Sequence, residues 1–197
     1  MRVSSSVLAS MVVGLLAVQA THAGATYTAV LSGAAEVPVN ASPGTGFAQV
    51  ELDTIAHTLT VDASFAGLLG TTTASHIHAP TLVPLAGTAG VATETPFFVG
   101  FPIGVTSGTY LHTFDTTLTS TWNAPFVTAN GGTALGAEAA LAADLEAGKA
   151  YLNIHTGLFP GGEIRGFLVP EPSTIALIGV AAIGLFARPR RVQQLAA

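Results

Sequence analysis

The sequence predicts an all-β domain, an antiparallel Greek-key β-sandwich with one short helix, with an apolar segment at each end of the chain. Three observations predict it. Runs of alternating apolar and polar residues recur through the middle of the chain, the period of strands with one buried face. Glycine and proline, 22 and 11 of the 197 residues, punctuate those runs as turns between short strands require. Charged residues are only 9% of the chain, against roughly 25% in an average soluble domain, which disfavours long solvated helices.

The elements follow in order. Met1 to Ala23 has Arg2, an apolar run from Val7 to Val18 and then small residues, the layout of a secretory signal peptide over 1–23. A run of about a dozen apolar residues is short for a membrane span. The globular domain is expected over 24–169. Tyr27 to Leu31 reads as its first strand, and SGAAEVPVNASPGTG as a loop. Gly46–Leu52 and Thr58–Phe65 form a hairpin across Asp53–His57. Phe47, Val50 and Leu52 break strict alternation, which allows a bulge, and His57 reads as a solvated turn residue. Ala74–His78 is another short strand. From Pro80 to Gly104 the chain is a Pro/Gly-rich loop, strand-like only at Gly90–Thr93 and Phe97–Val99. Thr109–Trp122 alternates again. Ala134–Ala147 is the one helix, with Leu135, Glu138, Leu141 and Leu145 near one face and Gly148 as its C-cap.

The hairpin YLNIHTGLFPGGEIRGFL concentrates most of the chemistry-bearing residues. Tyr151, Asn153 and His155 share one face of its first strand, and Leu152 and Ile154 the other. Pro160, Gly161 and Gly162 permit the reversal. Glu163 and Arg165 emerge on the return strand, to pair with each other or bond to loop backbone. As an isolated base, Arg165 calls for a fixed carboxylate partner, with Asp62 and Glu36 both open.

Charge and composition exclude several classes. Within 24–169, Lys149 and Arg165 stand against ten acidic residues, a net charge of −8. Such a surface repels phosphate backbones and excludes nucleic acid as a partner. With no cysteine, neither a disulfide framework nor a thiolate metal site is available. No nucleophile elbow, phosphate loop or paired carboxylates are evident, so no enzyme is predicted and no cofactor is required. One alternative stays open. His76 and His78, two apart in ASHIHAP, share a strand face, and His155 joins them if its strand lies alongside. Two or three imidazoles suit zinc or copper, as in a metal-binding, redox-type domain. Neutral histidines that hydrogen-bond strand ends are the structural reading of the same residues.

After Val169 the chain reads Pro170, Glu171, Pro172, an apolar run from Thr174 to Ala187, then Arg188, Arg190 and Arg191. At about 14 residues the run is below the usual ~20 of a stable span, and the arginines would hold its end in the cytoplasm. This order, over 170–191, resembles the PEP-CTERM sorting signal of Gram-negative bacteria. The resemblance implies export, transient tethering to the inner membrane through a C-terminal helix, and processing by an exosortase, typically in cells that make exopolysaccharide. Tyr27 to Leu168 resembles the CHRD domain, on YTAVLSGAAEVPVNASPGTGFAQVEL, HIHAP and YLNIHTGLFPGGEIRGFL. That resemblance implies a β-sandwich and little biochemistry. Together they imply a cell-surface or extracellular-matrix protein with a non-enzymatic binding or structural domain, and exopolysaccharide or another matrix component as its partner. His-x-His on a sandwich strand also resembles copper/zinc superoxide dismutases. The disulfide, the further zinc-loop histidines and aspartate, and the electrostatic loop of that family have no match here, so dismutation is not implied.

Overall fold

The computed structural model describes residues 24–171. The expected signal helix, and the apolar helix and arginines of the tail, lie outside the described residues. Eight antiparallel strands form one continuous sheet: β1 (Ala25–Ser32), β2 (Thr45–Asp53), β3 (Thr58–Ala66), β4 (Thr72–His78), β5 (Gly108–Asp115), β6 (Tyr151–Thr156), β7 (Ile164–Phe167) and β8 (Val169–Pro170). The order across the sheet is β4-β6-β7-β1-β2-β3-β5, and β8 pairs with β1. The sheet curls so that its two halves close over one core, in which Leu31, Val50, Val61, Ile77, Leu152, Ile154, Ile164 and Phe98 are all fully buried. At ~25 cal/mol per Å² of apolar surface removed from water, this shared interior is the main source of stability.

Most elements sit where alternation places them. In β2, Ala48, Val50 and Leu52 point inward while Phe47 is 45% exposed. Its register with β1 and β3 is continuous, so the irregularity foreseen there is simply an outward phenylalanine. The bulge in this sheet is in β4, between Thr72 and Ala74. Gly90–Thr93 contributes isolated bridges at Val91 and Thr93 rather than a strand, and Phe97–Val99 forms none.

The helical expectation needs two corrections. The predicted helix is α2 (Ala134–Glu146), preceded by a short α1 (Ala124–Ala129). So the domain has two helices among the described residues, not one. Two turns are too short for periodicity to register, which is why α1 escaped notice. The buried face of α2 is Ala134, Ala137, Glu138, Leu141 and Leu145, while Leu135 is 53% exposed. Thr133 caps the helix by accepting a hydrogen bond from the Gly136 N–H at 3.0 Å. Glu138, buried at 4% exposure, accepts from the Thr116 hydroxyl and meets His57 Nδ1 at 3.0 Å. His57 is thus tied to the helix rather than merely solvated. Among the described residues no helix is long and apolar enough to cross a membrane.

The β6–β7 hairpin is slotted between β4 and β1, and this insertion positions everything below. A Cβ on Gly166 would lie 2.3 Å from the Val30 carbonyl oxygen of β1, so only glycine lets the two strands approach this closely.

Candidate functional site

Strand register sorts the hairpin's side chains onto two faces. β4 and β6 pair as Ala74↔His155, His76↔Asn153 and His78↔Tyr151, and β6 and β7 as Asn153↔Arg165 and Tyr151↔Phe167. Ile77, Leu152, Ile154 and Ile164 therefore face the core, and His76, His78, Tyr151, Asn153, His155 and Arg165 all lie on the other face. That polar face is not open to water. Loop segments 33–44 and 79–107 and the turn 157–162 cover it, and His76, His78, Tyr151, Asn153 and Arg165 are all buried.

The three histidines meet. Their ring centroids are 5.6 Å apart for His76 and His78, 5.1 Å for His76 and His155, and 5.8 Å for His78 and His155. Each ring is anchored through one nitrogen to a backbone carbonyl of the covering loops. His76 Nε2 donates to the Pro96 oxygen at 2.6 Å, His78 Nδ1 to the Ala89 oxygen at 3.0 Å, and His155 Nδ1 to the Pro160 oxygen at 2.9 Å. A carbonyl can only accept, so the anchored nitrogen carries the hydrogen and fixes the tautomer. The opposite nitrogens, His76 Nδ1, His78 Nε2 and His155 Nε2, are buried with no hydrogen-bond partner. Burial, with some repulsion from His155 and against the Pro96 hydrogen bond, lowers His76 to about 4. Burial likewise lowers His78 to about 4, against the opposing Ala89 hydrogen bond, and it depresses His155 too. The cluster is neutral at pH 7. Tyr151 stacks on His78 at 4.8 Å, its ring 2° from parallel, and its hydroxyl meets the backbone of Ala89.

Glu163 and Arg165, two residues apart, do not pair with each other. Glu163 is fully buried and its carboxylate accepts four hydrogen bonds: Ser42 Oγ at 2.6 Å, Leu69 N at 2.5 Å, Gly70 N at 3.0 Å and Thr156 Oγ1 at 2.6 Å. Burial pushes this carboxyl up, but the four donors together outweigh it and hold it below the usual range. Arg165 lies 4.6 Å above the Tyr151 ring. It donates through Nε to the Ala35 oxygen at 2.5 Å and through a terminal nitrogen to the Gly87 oxygen at 3.1 Å. Its carboxylate neighbour is Glu36, at 3.8 Å, and Asp62, on β3, makes no salt bridge among the described residues. Glu36 Oε1 and Asn153 Oδ1 both lack a partner and line the same space beside Gly162, 2.6 and 2.5 Å from where a Cβ there would sit. Burial, against the pull of Arg165, raises Glu36 to about 7.

In the turn, Pro160 supplies the carbonyl that orients His155, and Gly162 needs its φ of 129°, which L side chains resist. The structure thus brings together all three histidines, whose adjacency depended on a strand pairing, β4 with β6, that no local signal reveals. It adds Glu36, Asn153 and Tyr151 to the same layer. Glu36 sits in a loop with no periodicity, and the sequence offered it only as one of two open partners, with Asp62, for the isolated Arg165.

Residues 27–168 match the family model of the CHRD domain, and residues 168–191 that of the PEP-CTERM protein-sorting motif. Comparison with curated proteins and with solved structures gave no match. With the antiparallel β architecture and the sorting motif in the order the sequence implied, the chain belongs to the CHRD domain family and is an exported protein of the exosortase-sorted kind.

Proposed function

We propose that the CHRD domain of this protein is a non-enzymatic binding or structural module, displayed at the cell surface or in the extracellular matrix after exosortase processing. The observation that carries this reading is how the hairpin's ionic groups are used. Glu163 and Arg165 are both buried, and their polar atoms bind loop backbone and hydroxyls of the same chain. Groups so engaged hold loops in place and do not face a substrate. The acidic middle of the chain favours uncharged or cation-bridged partners over polyanions, and exopolysaccharide or another matrix component is the partner class that the sorting motif favours. Domain boundaries of 1–23, 24–169 and 170–191 belong to the same proposal.

The tail provides the test. In the producing cell, replacing Arg188, Arg190 and Arg191 together with alanine is expected to leave most of the protein out of the surface and matrix fractions, while the wild-type chain reaches them. Fractionation followed by immunodetection reads this directly. Normal release of the triple variant would contradict exosortase sorting, and turnover of any glycan by the purified protein would contradict the non-enzymatic role.

A further inference from the structure

We infer that His76 Nδ1, His78 Nε2 and His155 Nε2 form a binding site for one divalent transition-metal ion of the zinc–copper class. The inference goes beyond the surface role proposed above and does not depend on it.

Four features converge. One ring nitrogen from each of the three histidines lies within 4.8 Å of the other two. Each candidate ligand atom is a lone pair, because each ring's hydrogen is committed to the Pro96, Ala89 or Pro160 carbonyl on its far side. All three are buried without a partner, and buried acceptors with no donor are costly to leave unsatisfied. A Lewis acid satisfies all three at once, where a hydrogen-bond donor satisfies one. Finally, a backbone carbonyl behind each imidazole is the usual support of a metal-bound histidine, fixing tautomer and ring orientation and raising ligand basicity.

The donor set selects the ion. Three neutral nitrogens, with neither cysteine nor methionine between residues 24 and 171, favour a borderline cation over a hard one such as calcium or magnesium and offer no sulfur to a soft one. Ligand nitrogens on a tetrahedral zinc at about 2.0–2.1 Å lie roughly 3.3 Å apart, so binding draws ring nitrogens that lie within 4.8 Å of one another inward by at most about 1.5 Å. Side-chain rotation supplies that. Three protein ligands leave the fourth position to an exogenous ligand, as in open sites.

The experiment uses the full chain, free of any histidine tag, purified in detergent, stripped with chelator and dialysed against Zn²⁺ or Cu²⁺. Metal content by mass spectrometry is expected to be about one ion per chain for at least one of the two metals. The copper form is expected to show nitrogen superhyperfine structure in its paramagnetic resonance spectrum. His155→Ala and His76→Ala are expected to fall below a tenth of an ion per chain, while His112→Ala, on β5, keeps the wild-type content. Thermal unfolding separates a ligand from a structural histidine. Metal should raise the wild-type Tm and leave that of His155→Ala unmoved. Failure of folded wild-type protein to retain either ion would overturn the inference. So would a His155→Ala variant that loses the same Tm with and without metal, or that still binds one ion per chain.

Discussion

Replacing Glu163 with alanine is expected to destabilise the folded domain by about 5 kcal/mol or more. The carboxylate is fully buried and gathers Ser42 from the β1–β2 loop, Leu69 and Gly70 from the β3–β4 turn, and Thr156 at the end of β6. Alanine leaves two backbone N–H groups and two hydroxyls without an acceptor and opens a cavity. Unsatisfied buried groups cost about 1–3 kcal/mol each, so the sum reaches about 5 kcal/mol or more. That is comparable to the ~5–15 kcal/mol that holds a domain folded. Glutamine retains the shape and one acceptor oxygen but turns an NH₂ toward donors. It is expected to cost about 2–4 kcal/mol. Urea unfolding followed by circular dichroism orders the three proteins as wild type, Glu163→Gln, Glu163→Ala. Equal stability of wild type and Glu163→Ala would show that the carboxylate is not the junction described.

Arg165→Ala is expected to destabilise the domain by about 3–5 kcal/mol at pH 8, the range for removing one member of a buried pair, and by less at pH 5. The arginine bridges the Ala35 and Gly87 carbonyls of two covering loops, and it stabilises the charged form of Glu36. The pH dependence has a definite sign. Folded Glu36 titrates at about 7, whereas an unfolded glutamate titrates near 4.3. Between these values the folded state holds the extra proton, so this group's contribution to stability falls as pH rises through the window. Removing Arg165 raises the folded value further and enlarges the penalty on the alkaline side. At pH 5 Glu36 is protonated in either protein, and the difference shrinks to the lost hydrogen bonds and stacking. Buried histidines contribute in the opposite direction; Arg165 acts on His78 alone among them, as the smallest of the causes that lower it, and its removal there also makes the loss smaller at pH 5. Denaturant midpoints at the two pH values measure the difference. A loss as large at pH 5 as at pH 8 would contradict the role given to Glu36.

Local rules made much of this fold legible. Alternation marked Tyr27–Leu31 and Gly46–Leu52 as strands, and the structure buries Tyr27, Ala29 and Leu31 in β1 and Ala48, Val50 and Leu52 in β2, where Phe47 had suggested a bulge. Alternation also put His76 and His78 on one face, and Tyr151, Asn153 and His155 on another strand's single face. Long-range pairing was not legible. That β6 lies beside β4, across 72 residues of intervening chain, is fixed by packing of the whole sheet, and no residue near His155 encodes it. The covering loops were hidden for a different reason. The carbonyls of Ala89, Pro96 and Pro160 that orient the three rings belong to the backbone, and any residue type provides a carbonyl. Sequence therefore singled out the three histidines but not the carbonyls that orient them. Glu138 illustrates a third limit. It falls on the core side of α2 by periodicity, yet its burial makes sense only with Thr116 and His57 folded against it.

Three loop carbonyls each hold one nitrogen of a histidine ring and leave the opposite nitrogen as a buried lone pair. A two-bond ¹H–¹⁵N correlation spectrum of the metal-free protein at neutral pH tests it, because it reports which nitrogen of each ring carries hydrogen. The structure predicts His76 protonated on Nε2, and His78 and His155 protonated on Nδ1. Nε2–H tautomers at His78 and His155, or positively charged rings, would aim hydrogens rather than lone pairs into the cluster and would contradict the account.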